Sequence, residues 1–180
     1  NNLFAEGYKA VFIAIGAHKP RKLQLSGEDA EGIYNSIDFL KAFNLRGESL
    51  ATGKVGVIGG GNSAIDAARV ALRQKDVASV TVFYRRTEQE MPAFKEEIED
   101  ALLEGVKIRI LTSPKSLNII DNRISSVEFI ENELGDVDDS GRKRPVPVEG
   151  SEWVSEFDTL IIAIGEQPDF ALLKSHDDEI

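Results

Sequence analysis

The stretch "VGVIGGGNSAIDAARVALRQ", residues 55–74, decides how the chain is read. A short apolar run enters three consecutive glycines, and a helical pattern begins directly after them. The run from Lys54 reads as a buried strand, and residues 61–73 read as a helix. Gly59, Gly60, Gly61, Asn62, Ser63 and Ala64 fit the pattern G-x-G-x-x-A, set between that strand and that helix. In this setting Gly59 permits a tight turn, Gly61 lets backbone approach a pyrophosphate, and Ala64 lets the helix sit close to the strand. Ala68 and Ala71 continue the small face. The helix start then offers N–H groups to phosphates. A dinucleotide is the ligand these residues suit.

The pattern extends in both directions. "SVTVFY" (79–84) reads as a second strand, and residues 92–104 as a second helix. Pro92 suits its first turn, Phe94, Ile98 and Leu102 share a face, and Gly105 suits its end. "VKIRIL" (106–111) is a third strand. This alternation implies a parallel sheet with right-handed crossovers. "SLNII", "RISSVEFIE" and "RPVPVEGSEW" then read as short strands, with turns at "DN" (121–122) and "DDSG" (138–141). They form an antiparallel meander in place of a helical crossover. "DTLIIAIG" (158–165) is a buried strand that returns to the parallel sheet. The expected fold is α/β, a Rossmann-like parallel sheet with flanking helices and an antiparallel β-meander crossover.

Upstream, "AVFIAI" (10–15) is an apolar run closed by Gly16, and residues 18–32 have connector composition. "NSIDFLKAFN" (35–44) places Ile37, Leu40 and Phe43 at helical spacing, with Asn35 or Ser36 as N-cap. "YKAVFIAIGA" (8–17) and "FDTLIIAIGE" (157–166) align without gaps, Ala14 on Ala163 and Gly16 on Gly165, which suggests two related units.

The end of the second strand carries the next signal. An NAD site places Asp or Glu there, to hold the ribose hydroxyls. This chain has Arg85 and Arg86, whose forked donors suit the 2′-phosphate of NADP(H). Glu88 lies near enough to keep an NADH preference open. "ATGKVG" lacks the spacing of a P-loop, and no tyrosine has a lysine four residues on, as short-chain dehydrogenases require. Asp66, near the N-terminal end of the first helix, is expected to be a structural acid favoured by the helix dipole. The acids of "KEEIEDALLEG" are expected to form a solvated face, and Trp153 to serve packing.

Composition sets limits. The 180 residues carry 42% hydrophobic and 29% charged side chains, ordinary for a globular domain. A net charge of -10 argues against nucleic acid and anionic membranes as partners. No apolar run is long enough to span a bilayer. Without cysteine there is no disulfide, thiolate or iron–sulfur ligand, and with only His18 and His176 no metal site is expected. The one methionine is Met91, and the chain opens on Asn1, so a piece of a longer protein is expected.

"VIGGGNSAIDAAR", "VFYRR" followed by "EMPA", "ELGDVDDSGRKRPVPVEGSE" and "LIIAIGEQP" together resemble the glutamate synthase small subunit family, to which a module of dihydropyrimidine dehydrogenase is related. The resemblance runs from Tyr8 to Pro168. It implies a flavoprotein in which an FAD domain is split by an inserted NAD(P)H domain. Residues 1–52 would be a segment of the split FAD domain plus a linker helix, 53–168 the NAD(P)H-binding domain, and 169–180 the return toward the FAD domain. Gly60, Gly61, Asn62 and Ser63 would form the phosphate-binding turn. Arg85 and Arg86 would take the 2′-phosphate, and Ala163, Ile164 and Gly165 would line the cofactor. Dehydrogenase relatives carry a further arginine where this chain reads Met91-Pro92-Ala93. No catalytic residue is expected, because transfer of hydride to flavin needs no acid–base pair. The implied partners are NADPH, the missing FAD domain and an iron–sulfur domain or subunit, in the cytoplasm. FAD is not expected to bind these residues, whose own chain lacks the FAD glycine motif. Residues 10–15 are then a strand without its sheet, expected to dock on a sheet edge or on a second chain. The competing class is a non-catalytic redox-sensing module that binds NAD(P)(H).

Overall fold

The computed structural model describes residues 2–138 and 141–169. In chain order the elements are α1 (Asn2–Ala5), β1 (Lys19–Pro20), β2 (Ile33–Asn35), α2 (Ser36–Arg46), β3 (Gly53–Ile58), α3 (Asn62–Leu72), β4 (Val77–Phe83), α4 (Lys95–Glu104), β5 (Lys107–Arg109), β6 (Thr112–Ile120), β7 (Arg123–Val137), β8 (Lys143–Pro147), β9 (Trp153–Glu156), β10 (Thr159–Ile162) and β11 (Glu166–Gln167). Two compact units divide them. The larger is Pro20–Gly165, and the smaller combines Asn1–Lys19 with Glu166–Ile180.

The larger unit is built on a parallel sheet in the order β2-β10-β3-β4-β5. Alternation along the strands sends side chains to opposite faces. Val55, Val57, Val80, Val82 and Ile161 pack with α2, α3 and α4 on one face. Ile58, Phe83 and Leu160 pack on the other with residues of the meander. There the Phe83 ring stacks on Phe129 at 4.3 Å between centroids, and Phe129 stacks on Trp153 at 4.9 Å. Trp153 therefore serves packing, as expected. The meander is antiparallel, with β7 pairing β6, β8 and β9. Asp121 and Asn122 close its first turn with φ of 49° and 61°, which a short polar side chain tolerates best. The expected α/β architecture is thus the observed one, with β10 returning between β2 and β3.

Several local expectations shift. Asn35 does cap α2, its Oδ1 accepting from the Asp38 N–H at 2.9 Å. The buried stripe of that helix is Ser36, Phe39 and Ala42, one step round from Ile37, Leu40 and Phe43. β2 forms in the few residues between the connector-like stretch 18–32 and α2, because β10 offers it a parallel edge. α4 begins at Lys95 rather than Pro92 and buries Ile98 and Ala101, leaving Phe94 65% exposed. Met91 and Ala93 are buried in its place, since residues before the helix fold back on the glycine turn. "RPVPVEGSEW" divides into β8 and β9 around a turn in which the Ser151 N–H reaches the Val148 carbonyl.

In the smaller unit, residues 10–15 form no strand, and Phe12 is 92% exposed. The expectation that this run docks as a strand on a sheet edge is therefore corrected. A run apolar on both faces needs a neighbouring strand and a covering layer on each side, and among the described residues no strand pairs with it.

Candidate dinucleotide site

The carboxyl ends of β3, β4 and β10 lie side by side, and the expected site residues follow directly on them. In open parallel sheets ligands bind at this edge. The turn after β3 is tied to both neighbours. The Gly59 N–H donates to the Phe83 carbonyl at 3.0 Å, and the Ala163 N–H donates to the Ile58 carbonyl at 2.8 Å. Gly59, which opens the turn Gly59, Gly60, Gly61, Asn62, Ser63 and Ala64, is thus brought against Ala163, while Arg85 and Arg86 follow the neighbouring β4.

Each glycine of the turn has its own reason. Gly59 has φ of 147°, and a Cβ there would lie 2.1 Å from the Ala163 carbonyl oxygen. At Gly60 a Cβ would fall 2.4 Å from the Tyr84 ring. Both are glycines because the fold itself requires them. Gly61 is different. Its φ of -91° suits any residue, and a Cβ would meet nothing nearer than Pro92 Cγ at 3.8 Å. The space beside Gly61 is a cradle that a side chain would fill.

Gly61 also starts α3. The N–H groups of Ala64 and Ile65 return to its carbonyl, at 2.9 and 3.2 Å, and no side chain caps the helix. A helix leaves its first N–H groups without internal acceptors, so this end suits an anion. Asn62 has a second duty. Its Oδ1 accepts the Phe94 N–H at 3.0 Å, while the Ala93 N–H donates to the Gly60 carbonyl at 3.2 Å. The Met91-Pro92-Ala93 segment is in this chain a brace behind the turn. Tyr84 contributes to it, its hydroxyl donating to the Glu90 carbonyl at 2.6 Å.

On the far side, Ala163 is buried, Ile164 half-buried, and Gly165 exposed with φ of 97° and open space around its Cα. Gly165 is needed for its backbone conformation, whereas Ala163 keeps the strand end close to Gly59.

The two arginines are placed unequally. Arg85 is exposed, and its guanidinium makes no hydrogen bond or ion pair among the described residues. Packing against protein, and then the charge of Arg86, push its pKa below the ordinary arginine value. An arginine so placed gains from an anion. Arg86 is buried, with its donors committed to Lys143 and Asp138 of the β7–β8 hairpin. As a 2′-phosphate ligand it would first have to leave them. Asn132 was not legible as a site residue, yet its buried side chain donates to the Arg85 carbonyl at 3.1 Å. The signal for it is an amide within the otherwise alternating "EFIENEL" run.

Behind α3, the acids of α4 are not simply solvated. Arg69 binds Glu97 and Glu104, the latter at 2.6 Å, and Arg73 also binds Glu104, at 2.9 Å. Asp66 gains less than the helix dipole suggested. Partial burial, and then repulsion from Glu97, raise its pKa. A carboxyl with a higher pKa folded than unfolded holds its proton more tightly in the folded chain. Stability therefore falls as pH rises from the unfolded value through the folded one, and stays lower above it. Asp66→Asn is expected to raise Tm near pH 7 by no more than about 2 °C, and to leave it unchanged near pH 3. Calorimetry at the two pH values checks this.

Among the described residues there is no group of acids and histidines able to hold a metal, and no helix long and apolar enough to cross a membrane. The profile of the family described as "Pyridine nucleotide-disulphide oxidoreductase" matches residues 1–180.

The chain belongs to the pyridine nucleotide-disulphide oxidoreductase family.

Among curated proteins, it is 42% identical over 170 residues to the "NADPH-Fe(3+) oxidoreductase subunit beta" of Geobacter sulfurreducens, covering 92% of this chain and 25% of that protein. It is 37% identical over 174 residues to the "Glutamate synthase [NADPH] small chain" of Halomonas elongata, covering 91% of this chain and 36% of that one. The chain thus spans well under half the length of these relatives. Among solved structures, FprA of Mycobacterium tuberculosis in complex with NADPH superposes with a TM-score of 0.78 at 21% identity, covering 93% of this chain and 52% of that one. Thioredoxin reductase of Lactococcus lactis superposes with a TM-score of 0.65 at 22% identity, covering 91% and 48%. Both likenesses are of fold. The resemblance to the glutamate synthase small subunit drawn from the sequence motifs is thereby borne out.

Proposed function

We propose that this chain is the NADPH-binding domain of an FAD-dependent oxidoreductase, and that it positions the nicotinamide for hydride transfer to a flavin held by other parts of the intact protein. The observation that carries this reading is Gly61. The fold does not require a glycine there, and the space its missing side chain leaves lies at the start of α3. A pyrophosphate approaching the backbone accounts for both facts. The relatives named for NADPH-linked reactions support the same reading.

In this reading Gly60, Gly61, Asn62 and Ser63 hold the pyrophosphate with backbone donors. Arg85 takes the adenosine 2′-phosphate, and Ala163, Ile164 and Gly165 leave room for the cofactor beside them. NADPH, when bound, supplies the hydride chemistry, and these residues supply position and electrostatics. In this reading the binding domain is the larger unit, Pro20–Gly165, rather than 53–168 as expected from the sequence, because β2 and α2 help build its sheet and core; the remainder belongs with the FAD domain, and electrons pass on to iron–sulfur centres elsewhere. A cytoplasmic location goes with this reading.

The division of labour has a direct test. The chain alone is expected to bind NADPH in equilibrium titration, to purify colourless, and to show no NADPH-to-dye electron transfer. Absorbance in the flavin bands and a diaphorase assay check the last two. A yellow, active preparation would place the flavin site within these residues and overturn the domain assignment.

A further inference from the structure

α2 and α3 pack side by side on one face of the parallel sheet, and a groove of about 370 Å³ opens between them. Small-molecule sites begin at about this size. Leu40 and Asn44 of α2 line it, with Asp66, Arg69, Val70 and Arg73 of α3. None of these residues belongs to the glycine turn. Asp66, Val70 and Arg73 recur at i, i+4 and i+7, so they share one face of the helix. Val70 is buried and Leu40 half-buried, which makes the middle apolar, while Asp66 and Arg73 put opposite charges at its two ends. On a merely solvated face these charges would pair with each other. Asp66 and Arg69 stand at i, i+3, where a carboxylate and a guanidinium meet readily. They do not pair, because Arg69 is held toward α4 by Glu97, by Asp100 at 3.5 Å and by Glu104 at 2.6 Å. Arg73 reaches Glu104 through Nη2 at 2.9 Å, yet its side chain stays 53% exposed, and a guanidinium has further donors to give. Asp66 is left with no hydrogen bond or ion pair among the described residues, with Glu97 adding like charge beside it. A carboxylate partly withdrawn from water without a partner is costly, so this one gains from a cation.

We propose that the α2–α3 groove is a second ligand site of this chain, for a small zwitterion whose ammonium meets Asp66, whose carboxylate meets Arg73, and whose short aliphatic chain lies against Leu40 and Val70. The rise from residue 66 to residue 73 is about 10 Å, which 5-aminopentanoate spans with a hydrogen bond at each end. A ligand with only an anionic end would face the surplus of Asp66, Glu97, Asp100 and Glu104 over Arg69 and Arg73. A ligand with only a cationic end would leave the open donors of Arg73 unanswered. Both charged ends are partly solvated, so each contributes modestly and the affinity is expected to be about millimolar.

Titrations of the purified chain followed by nitrogen–proton NMR test this with three probes of one length: 5-aminopentanoate, pentylammonium and pentanoate. The zwitterion is expected to bind at least about threefold more tightly than either one-ended probe, with shifts gathered at Leu40, Asn44 and residues 66–73. Two variants then assign the ends. Asp66→Asn is expected to weaken 5-aminopentanoate about threefold and to leave pentanoate unchanged. Arg73→Gln is expected to weaken 5-aminopentanoate as much and to leave pentylammonium unchanged. Both side chains lie at the surface, and Tm measured on the same samples shows that the variants are folded. Pentylammonium or pentanoate binding as tightly as 5-aminopentanoate overturns the two-ended site. So do shifts scattered over the surface, no shifts at all, or a variant that weakens the probe lacking its partner charge. The comparison of probes on the unaltered chain needs no variant to fold, and the dinucleotide reading is tested by other residues.

Discussion

Gly61→Val is expected to weaken binding of NADPH and NADH alike by at least about 100-fold while leaving the domain folded. The two halves of this expectation come from different observations. Binding is lost because the valine side chain would fill the cradle through which a pyrophosphate reaches the backbone. The fold is kept because φ of -91° is ordinary for valine and the new Cβ has 3.8 Å to its nearest neighbour. Neighbouring glycines provide the contrast. Gly59→Ala would force a Cβ to 2.1 Å from a backbone oxygen in a left-handed conformation, so it is expected to lower Tm strongly. Gly61→Ala adds the Cβ alone and should give an intermediate loss of affinity. Calorimetric titration and thermal unfolding of the same samples separate the effects. A folded Gly61→Val chain that binds NADPH normally would end the dinucleotide reading.

What the sequence made legible follows from how local each signal is. The glycine turn, the strand and helix on either side of it and the Asn35 cap are local features, settled by periodicity and backbone sterics within a few residues. β2 is only Ile33–Asn35, and it exists because β10, more than a hundred residues later, lies alongside it. No window of sequence contains that partner. The buried face of α2 is likewise decided by where the sheet lies, which is why Phe39 and Ala42 rather than Ile37 point inward. For residues 10–15 the apolar pattern is plain, but a strand needs neighbours, and pattern alone cannot supply them. The site divides in the same way. That arginines end β4 is visible in "FYRR", but which of the two is free depends on Asp138 and Lys143, far along the chain. Asn132 was invisible for that reason also: its importance lies in the carbonyl it meets.

Arg85→Ala is expected to weaken NADPH binding by about 10- to 100-fold and to leave NADH nearly unchanged. The magnitude is that of losing hydrogen bonds to a charged group, roughly 1.5–3 kcal/mol. Selectivity between the cofactors arises because the 2′-phosphate is the one group that distinguishes them, and Arg85 is the exposed member of the pair. Its neighbour cannot simply replace it, since the Arg86 guanidinium is held at 2.6 Å by Asp138. Packing against protein lowers the Arg85 pKa most, and like charge from Arg86 and then Arg142 adds to it. A bound dianion relieves that repulsion, so the arginine favours the phosphorylated cofactor by more than its own hydrogen bonds. Arg85→Lys keeps a positive charge without the fork and should fall between the wild type and alanine. Because the site is exposed, the preference for NADPH should shrink as salt rises from about 0.05 to 0.5 M, and most in the wild type. Titrations of both cofactors at the two salt concentrations measure all of this. Equal losses for NADPH and NADH in Arg85→Ala would remove the 2′-phosphate from this end of β4, and the cofactor preference would have to be sought at Glu88 instead.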